Sequence, residues 1–465
     1  MSGTKKRISF NLLDMATVSH NNYGLWAHPS NQKYRRYKNV DFWMDFAKEC
    51  ERARFDTLFL ADAIGVAAGY GGNNDVAIRE GMHVPSLDPF TPIAAMAAAT
   101  SGIGFAATCS TTYEQPFHLA RRLSSLDHLT DGRIGVNIVT SYLPNANENF
   151  GVDPNRYSHD ERYDVADDFM EACYKLWEAS WEDDAVRRDR VEGVYADPRK
   201  VHRIEHKGRY FSVAGPHLVE PTPQRTPVIY QAGSSGRGRQ FAGRHAEVVF
   251  VGGRSLDAVK ENVNAIRAEA VAQGRAPDSV RILVGATIVA ARTRALALEK
   301  KADYQDMTRA DGYVAHMYGS GFDLSRFDRG EVVADIVRRG GPGTEHLGRY
   351  PYAPGTTVGD VIRMSSDLAG HTTVPLFACG TGAEIADEIE MWMETLGCDG
   401  FLLRQLITPH TVADFADYVM PELQRRGVYR EEYEGSTLRE NLFGAGHAHP
   451  PASHPSAAYR PRSGG

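Results

Sequence analysis

Cysteine is scarce in this chain. There are five in 465 residues (Cys50, Cys109, Cys173, Cys379 and Cys398), widely scattered and without a CxxC pair. Neither a disulfide framework nor a thiolate zinc site is expected, and most of the five read as buried thiols. Basic charge is also lacking, with 52 Lys and Arg against 59 Asp and Glu and a net charge of −7. That leaves no electrostatic footprint for nucleic acid and no polybasic arm for a membrane surface. No apolar run approaches the ~18 residues of a membrane span. The basic start MSGTKKRISFNLLD is interrupted by Asn11 and Asp14 before it can form a signal-peptide core, so a cytoplasmic protein is expected. There is no HExxH and no clustered set of carboxylates, so no metal site is expected and a metal-dependent hydrolase is a poor fit.

What is present is a globular composition, 42% hydrophobic and 24% charged, long enough for a large core in one enlarged α/β domain or two. One stretch stands out: PVIYQAGSSGRGRQFA, residues 227–242. It reads as a short strand, a Gly/Ser loop and the start of a helix. Backbone N–H groups of a first helical turn, the helix dipole and close-approaching glycines together make an anion cradle, to which Ser234 and Ser235 add hydroxyls. An ordinary capped βα turn satisfies the same spacing. The loop is neither a Walker loop nor a GxGxxG fingerprint.

Eight strands are expected, at 7–13, 57–62, 103–110, 134–141, 227–231, 246–252, 281–290 and 399–405, most of them separated by helical stretches. Eight βα units point to a TIM (β/α)8 barrel over a doubly wound sheet. Long insertions follow strands 1, 2, 4 and 7, the largest at about 142–226 and 291–376. The barrel is expected to span residues 1–443, and the Pro/Ala/Gly/His-rich residues 444–465 to form an extended or disordered arm. The charged run at 178–190 reads as a solvated helix face. A barrel active site lies at the strands' C-terminal ends, which here carry Asp62, Ser110, Ser141, the 233–238 loop and Gly252-Gly253.

Several segments together resemble the bacterial-luciferase-like flavin monooxygenases, in the branch of the nitrilotriacetate, dibenzothiophene-sulfone, dimethyl-sulfide and long-chain-alkane enzymes. They include GLWAHPSNQ (24–32), ARFDTLFLAD (53–62), STTYEQPFHLARRLSSLDHLTDGR (110–133), NIVTSYLPNANENFG (137–151), HDERYD (159–164), TPVIYQAGSSGRGRQFA (226–242) and VMPELQRRGVYREEYEGSTLRENLFG (419–444). The resemblance implies a TIM barrel that takes FMN as FMNH2 from a separate NAD(P)H-dependent flavin reductase. O2 then forms a flavin C4a-peroxide that oxygenates, and often cleaves, a small organic compound. By matching position it sets Asp62 and Ser141 against the isoalloxazine, Asn137 facing the ring, and Tyr163, Gly233, Ser234 and Ser235 on the phosphate or ribityl chain. Thr108 and Ser110 border the same region. It also implies a homodimer or homotetramer.

The same resemblance makes His20 and His316 catalytic candidates, and Tyr142, next to Ser141, is taken as a third; an imidazole suits either histidine role, since it can give or take a proton near neutrality. At four positions the chain departs from the alkane-oxidising member. Thr17 replaces a Cys, Ala67 a Tyr, His83 a Gln, and Tyr142 the His that follows the Thr-Ser pair. These, with Tyr70, make a changed substrate pocket that argues against a straight-chain alkane and for a polar or aromatic substrate. Organosulfur and N-heterocyclic compounds are the classes in view. Two alternatives stay open: cleavage of riboflavin to lumichrome, and hydride transfer with the deazaflavin coenzyme F420 on the same barrel. His28, His118 and His128 are expected to be structural, and His159 to orient Arg162 or Tyr163.

Overall fold

Apolar alternation along the strands has one consequence: every second side chain must point into the barrel and the others outward under the helices. The computed structural model describes residues 6–461, apart from 142, 234, 254, 320–321, 342, 349–351 and 369–374. Tyr142 and Ser234 therefore lie outside the described residues. Among the described residues nine parallel strands follow in chain order: β1 (Ser9–Met15), β2 (Thr57–Ala61), β3 (Gly104–Ser110), β4 (Ile134–Val139), β5 (Val228–Gln231), β6 (Val248–Val251), β7 (Arg281–Ala290), β8 (Leu376–Gly380) and β9 (Gly400–Arg404). Eight of them close a ring, β1-β2-β3-β4-β5-β6-β7-β9 and back to β1, which is the TIM barrel.

The ninth strand, β8, was not expected. It pairs with Ala286–Ala290, the half of β7 that continues past its contact with β6 at Val251↔Val284. Phe10 and Leu12 of β1 face the helices, whereas Phe59, Tyr230, Phe250, Leu283 and Leu402 fill the barrel interior. The Phe59 and Phe250 rings are 4.7 Å apart, so the lower barrel is a packed core rather than a channel.

Helices used below are α1 (Pro116–Leu129), α2 (His159–Tyr174), α3 (Gly236–His245), α4 (Ala310–Met317) and α5 (Leu438–Phe443). Leu438 and Leu442 of α5 pack on the interior core and close the floor of the barrel. The adjacent Arg439, 1% exposed, is tied to Glu247 by two bonds of 2.7 and 3.0 Å and to the Thr226 carbonyl at 2.7 Å.

The run at 178–190 is not a solvated helix face. Glu178 is fully buried, accepting from Thr226 Oγ1 at 2.5 Å and Arg460 Nε at 2.9 Å. Val186–Asp189 pairs with Val194–Ala196 as a hairpin whose turn uses Gly193 at φ 68°. From residue 445 to 461 the chain lies along the barrel wall: His454 Nε2 donates to the His245 carbonyl at 3.0 Å, and Pro455–Tyr459 forms a short 3-10 helix.

The 291–376 insertion has its own core, from Val314, Tyr318 and Phe322 to Val358, Val361 and Ile362. It is a small cap of packed helices, and α4 presents its other face to the barrel mouth. No helix among the described residues is long and apolar enough to cross a membrane.

Candidate active site

Two features occupy the C-terminal mouth of the barrel. The first is a cleft of about 350 Å³ over the ends of β2, β4 and β5. Its wall from the 142–226 insertion follows from a capping box: Ser158 Oγ accepts from Glu161 N, and Glu161 Oε2 accepts from Ser158 N. That fixes the first residue of α2, and helical spacing then puts His159, Arg162 and Tyr163 (i, i+3, i+4) on one face. All three line the cleft. Arg162 Nε is buried with no hydrogen-bond partner among the described residues.

Opposite lies the 233–238 loop. Ser235 caps α3 by accepting from Gly238 N at 3.0 Å, and Gly233 N donates to Gln231 Oε1 at 2.6 Å. The Tyr163 hydroxyl sits over both glycines. A Cβ at Gly233 would come within 2.9 Å of it and one at Gly238 within 2.8 Å. Only glycine admits this approach. Arg237 is engaged elsewhere, by Asp164 at 3.0 Å and by Asp167 at 2.5 Å, so its charge is already compensated.

The inner edge of the cleft is polar. Asp62 and Ser141 line it. Ser141 Oγ donates to Ser110 Oγ at 2.7 Å and holds a left-handed φ of 55°, a conformation costly for a non-glycine residue. Asn137 points into the barrel, donating from Nδ2 to Thr108 Oγ1 at 3.1 Å, while its Oδ1 has no partner among the described residues.

Burial pushes the Asp62 carboxyl up to about 6, against a bond from Ala63 N–H that pulls it down. A carboxyl raised in the fold favours the folded state at low pH, and that contribution is lost as pH climbs from the ordinary value near 4 through 6. Asp62→Asn is therefore expected to raise stability at pH 7–8 by about 1–2 kcal/mol, allowing for partial exposure, and to leave it unchanged below about pH 4. Urea unfolding at the two pH values reads the difference.

The second feature is a cluster of three histidines across the mouth. His20 follows β1, His83 sits in the loop after β2 at φ 57°, and His316 rides on α4. The His20 and His83 rings are 5.2 Å apart, and those of His83 and His316 4.9 Å. Between the last two lies Tyr23, fully buried, its hydroxyl 3.1 Å from His83 Nε2 and 3.0 Å from His316 Nδ1. Gly312 of α4 lets the helix seat directly on this tyrosine, since a Cβ there would meet Tyr23 Cβ at 2.6 Å.

Burial lowers all three histidines. His316 falls to about 4, and mutual repulsion adds to the depression of His20 and His83. They are neutral at pH 7, and the Tyr23 hydroxyl donates to one imidazole while accepting an N–H from the other. Because protonation is disfavoured in the fold, their contribution to stability is lost as pH falls from about 6.5 toward 4. Among the described residues no group of three His, Cys, Asp or Glu side chains forms a metal-binding set.

Of the pocket residues expected from the sequence, Thr17 is buried and donates to the Pro85 carbonyl at 2.7 Å, tying its segment to the His83 loop. Ala67 packs with Tyr23, Tyr313 and Ala315 under the cap, and half-buried Tyr70 lies against the same group. Sequence reasoning passed over Tyr23 and Arg404, and named Arg162 only as a group for His159 to orient. Arg162 had a signal, since it lies beside Tyr163 on the same helical face. Tyr23 had none, because its partners are 60 and 293 residues away. His28 pairs with Asp303 at 2.8 Å, a structural contact as expected.

With this geometry in hand, comparison with known proteins is direct. Residues 22–399 match the model of the luciferase-like monooxygenases. The long-chain alkane monooxygenase of Geobacillus thermodenitrificans (strain NG80-2) is 45% identical over 456 residues, covering 98% of each chain. The dimethyl-sulfide monooxygenase of Hyphomicrobium sulfonivorans is 43% identical over 459 residues, covering 98% of this chain and 94% of its own. A crystal structure of a riboflavin lyase with modified FMN and riboflavin superposes with a TM-score of 0.88 at 42% identity, covering 98% of this chain and all of the other. The chain belongs to the luciferase-like monooxygenase family and is a flavin-dependent monooxygenase of that family.

Proposed function

We propose that the chain is the oxygenase component of a two-component system. It takes reduced FMN from a separate NAD(P)H-dependent flavin reductase and uses O2 to oxygenate, and cleave, a small organosulfur or N-heterocyclic compound. The observation that carries this reading is the division of the barrel mouth: a glycine-lined cradle with Tyr163 and Arg162, whose Nε has no partner among the described residues, on one side, and a neutral His-Tyr cluster on the other. The cradle fits a flavin phosphate, because Arg162 Nε is buried without an acceptor among the described residues and Gly233 and Gly238 leave room that any Cβ would fill.

Tyr163, Arg162, Gly233 and Ser235 would hold the phosphate and ribityl chain; Ser234 belongs to the same loop by sequence. Asp62, Asn137 and Ser141 would border the ring, and the pocket of Thr17, Ala67, Tyr70, His83 and Tyr142 would receive the substrate. Bound reduced FMN supplies the electrons with which O2 is activated. The protein's part is to orient, to keep water out with the cap at 291–376, and to hold or pass a proton at His20 and at His316 through the Tyr23 hydroxyl. A homodimer or homotetramer is part of the proposal.

The test is a reductase-coupled assay under oxygen, screening organosulfur and N-heterocyclic substrates. Turnover is expected only when reductase, FMN and O2 are all present; turnover under strict anaerobiosis would contradict the reading. A second reading, with riboflavin itself as substrate, is favoured by the likeness to the riboflavin lyase. Release of lumichrome in the same assay, seen by chromatography, decides for it.

A further inference from the structure

The alternation along β9 sends Phe401 and Leu403 outward and Leu402 inward, so Arg404 at the strand's end points into the barrel mouth. It is 1% exposed. Its Nη1 donates to the Asn21 carbonyl at 3.2 Å, while Nε and Nη2 have no hydrogen-bond partner among the described residues.

The other deeply buried arginines differ in kind. Arg430 pairs with Asp56, Arg439 with Glu247 and Arg225 with Asp183. Arg133 and Arg275 each donate to three or more backbone carbonyls. Among the described residues Arg404 has one carbonyl and no carboxylate. Its nearest electrostatic neighbours are the phenols of Tyr313 and Tyr23, and burial pushes its pKa down. A charge removed from water in this way calls for a counter-charge. Nε and Nη2 form the edge of the guanidinium that presents two parallel N–H bonds, a fork matched to the two oxygens of a carboxylate or sulfonate.

We propose that this edge of Arg404 is the substrate's anion site, and that the natural substrate carries a carboxylate or sulfonate. Resting on the proposed monooxygenase function, the proposal adds the substrate class. Position separates the site from the flavin cradle. Around the ring β9 stands opposite β4, whereas the cradle lies over β2, β4 and β5. Arg404 belongs instead to the histidine side: the Asn21 whose carbonyl it holds also bonds His20 Nε2 through its side chain at 3.0 Å. Next to it on β7, Thr287 is 1% exposed and its hydroxyl has no partner among the described residues. An anion in the fork lies beside the imidazoles, which carry no charge of their own at pH 7 to compete for it.

The test measures binding of benzoate, benzenesulfonate and hexanoate against benzamide, benzyl alcohol and hexanamide by calorimetry, with and without anaerobic reduced FMN. Wild-type protein is expected to bind the anions at least tenfold tighter than the uncharged counterparts. Arg404→Met should erase that preference, Arg404→Lys should retain part of it, and the affinity for reduced FMN should stay within twofold in both. No preference in the wild type, or a preference that survives in Arg404→Met, overturns the proposal. A loss of reduced-FMN affinity equal to the loss of anion affinity also overturns it, since the fork would then serve the flavin ring. The flavin-free arm and the wild-type panel remain readable if the flavin reading fails or if Arg404→Met does not fold.

Discussion

Arg439→Ala is expected to cost about 3–5 kcal/mol of folding stability, the range for removing one member of a buried ion pair. Arg439 and Glu247 are both nearly sealed from solvent, at 1% and 2% side-chain exposure. Glu247 also accepts from Ile229 N at 3.2 Å, and its pKa is held low mainly through Arg439, against the cost of burial. Removing the guanidinium strands the carboxylate at the barrel floor and frees the Thr226 and Ala448 carbonyls that Arg439 also holds. Urea unfolding followed by circular dichroism measures the loss. Adding Glu247→Leu to the variant should restore part of it, because the desolvated charge is then gone.

Gly238→Ala is expected to weaken reduced-FMN binding at least tenfold, and Gly238→Val about a hundredfold, or about 2.7 kcal/mol. The new Cβ meets the Tyr163 hydroxyl at 2.8 Å and Ser235 Oγ at 2.9 Å, both side-chain ends that the cradle needs in place. Alanine inside a helix is favoured over glycine by up to about 1 kcal/mol, so the folded protein should not lose stability in step. That separation of readouts distinguishes a cradle from a merely structural turn. Tyr163→Phe on the Gly238→Ala background should relieve the closer of the two contacts, leaving that with Ser235 Oγ, without recovering the affinity, if the hydroxyl itself contacts the flavin.

The eight barrel strands were legible because each alternates or runs apolar over a handful of residues between turn signals. β8 was not. Its five residues pair only along the part of β7 that outruns its neighbour, and nothing in LFACG announces that overhang. Residues 178–190 carry charge at a density that suits a solvated helix, but Glu178 is buried and held by Arg460, 282 positions away. The anion cradle could be read locally, since the strand, loop and helix start are contiguous. The histidine cluster could be read only in pieces. His20, His83 and His316 come from three loops and helices, and the tyrosine that joins two of them has no local signature. Arg404 was visible in principle: an arginine at the inward parity of an apolar barrel strand is a charge without an obvious reason to be there.

The central claim is that this barrel binds reduced FMN at the Tyr163 side and works on its substrate at the histidine side. Anaerobic titration of the purified protein with reduced FMN tests it most directly. The account predicts saturable binding on the order of micromolar, weakened by Gly238→Ala and left intact by His316→Ala. Absence of binding by FMN and FMNH2 at that level, or a loss caused by His316→Ala rather than by Gly238→Ala, would contradict it.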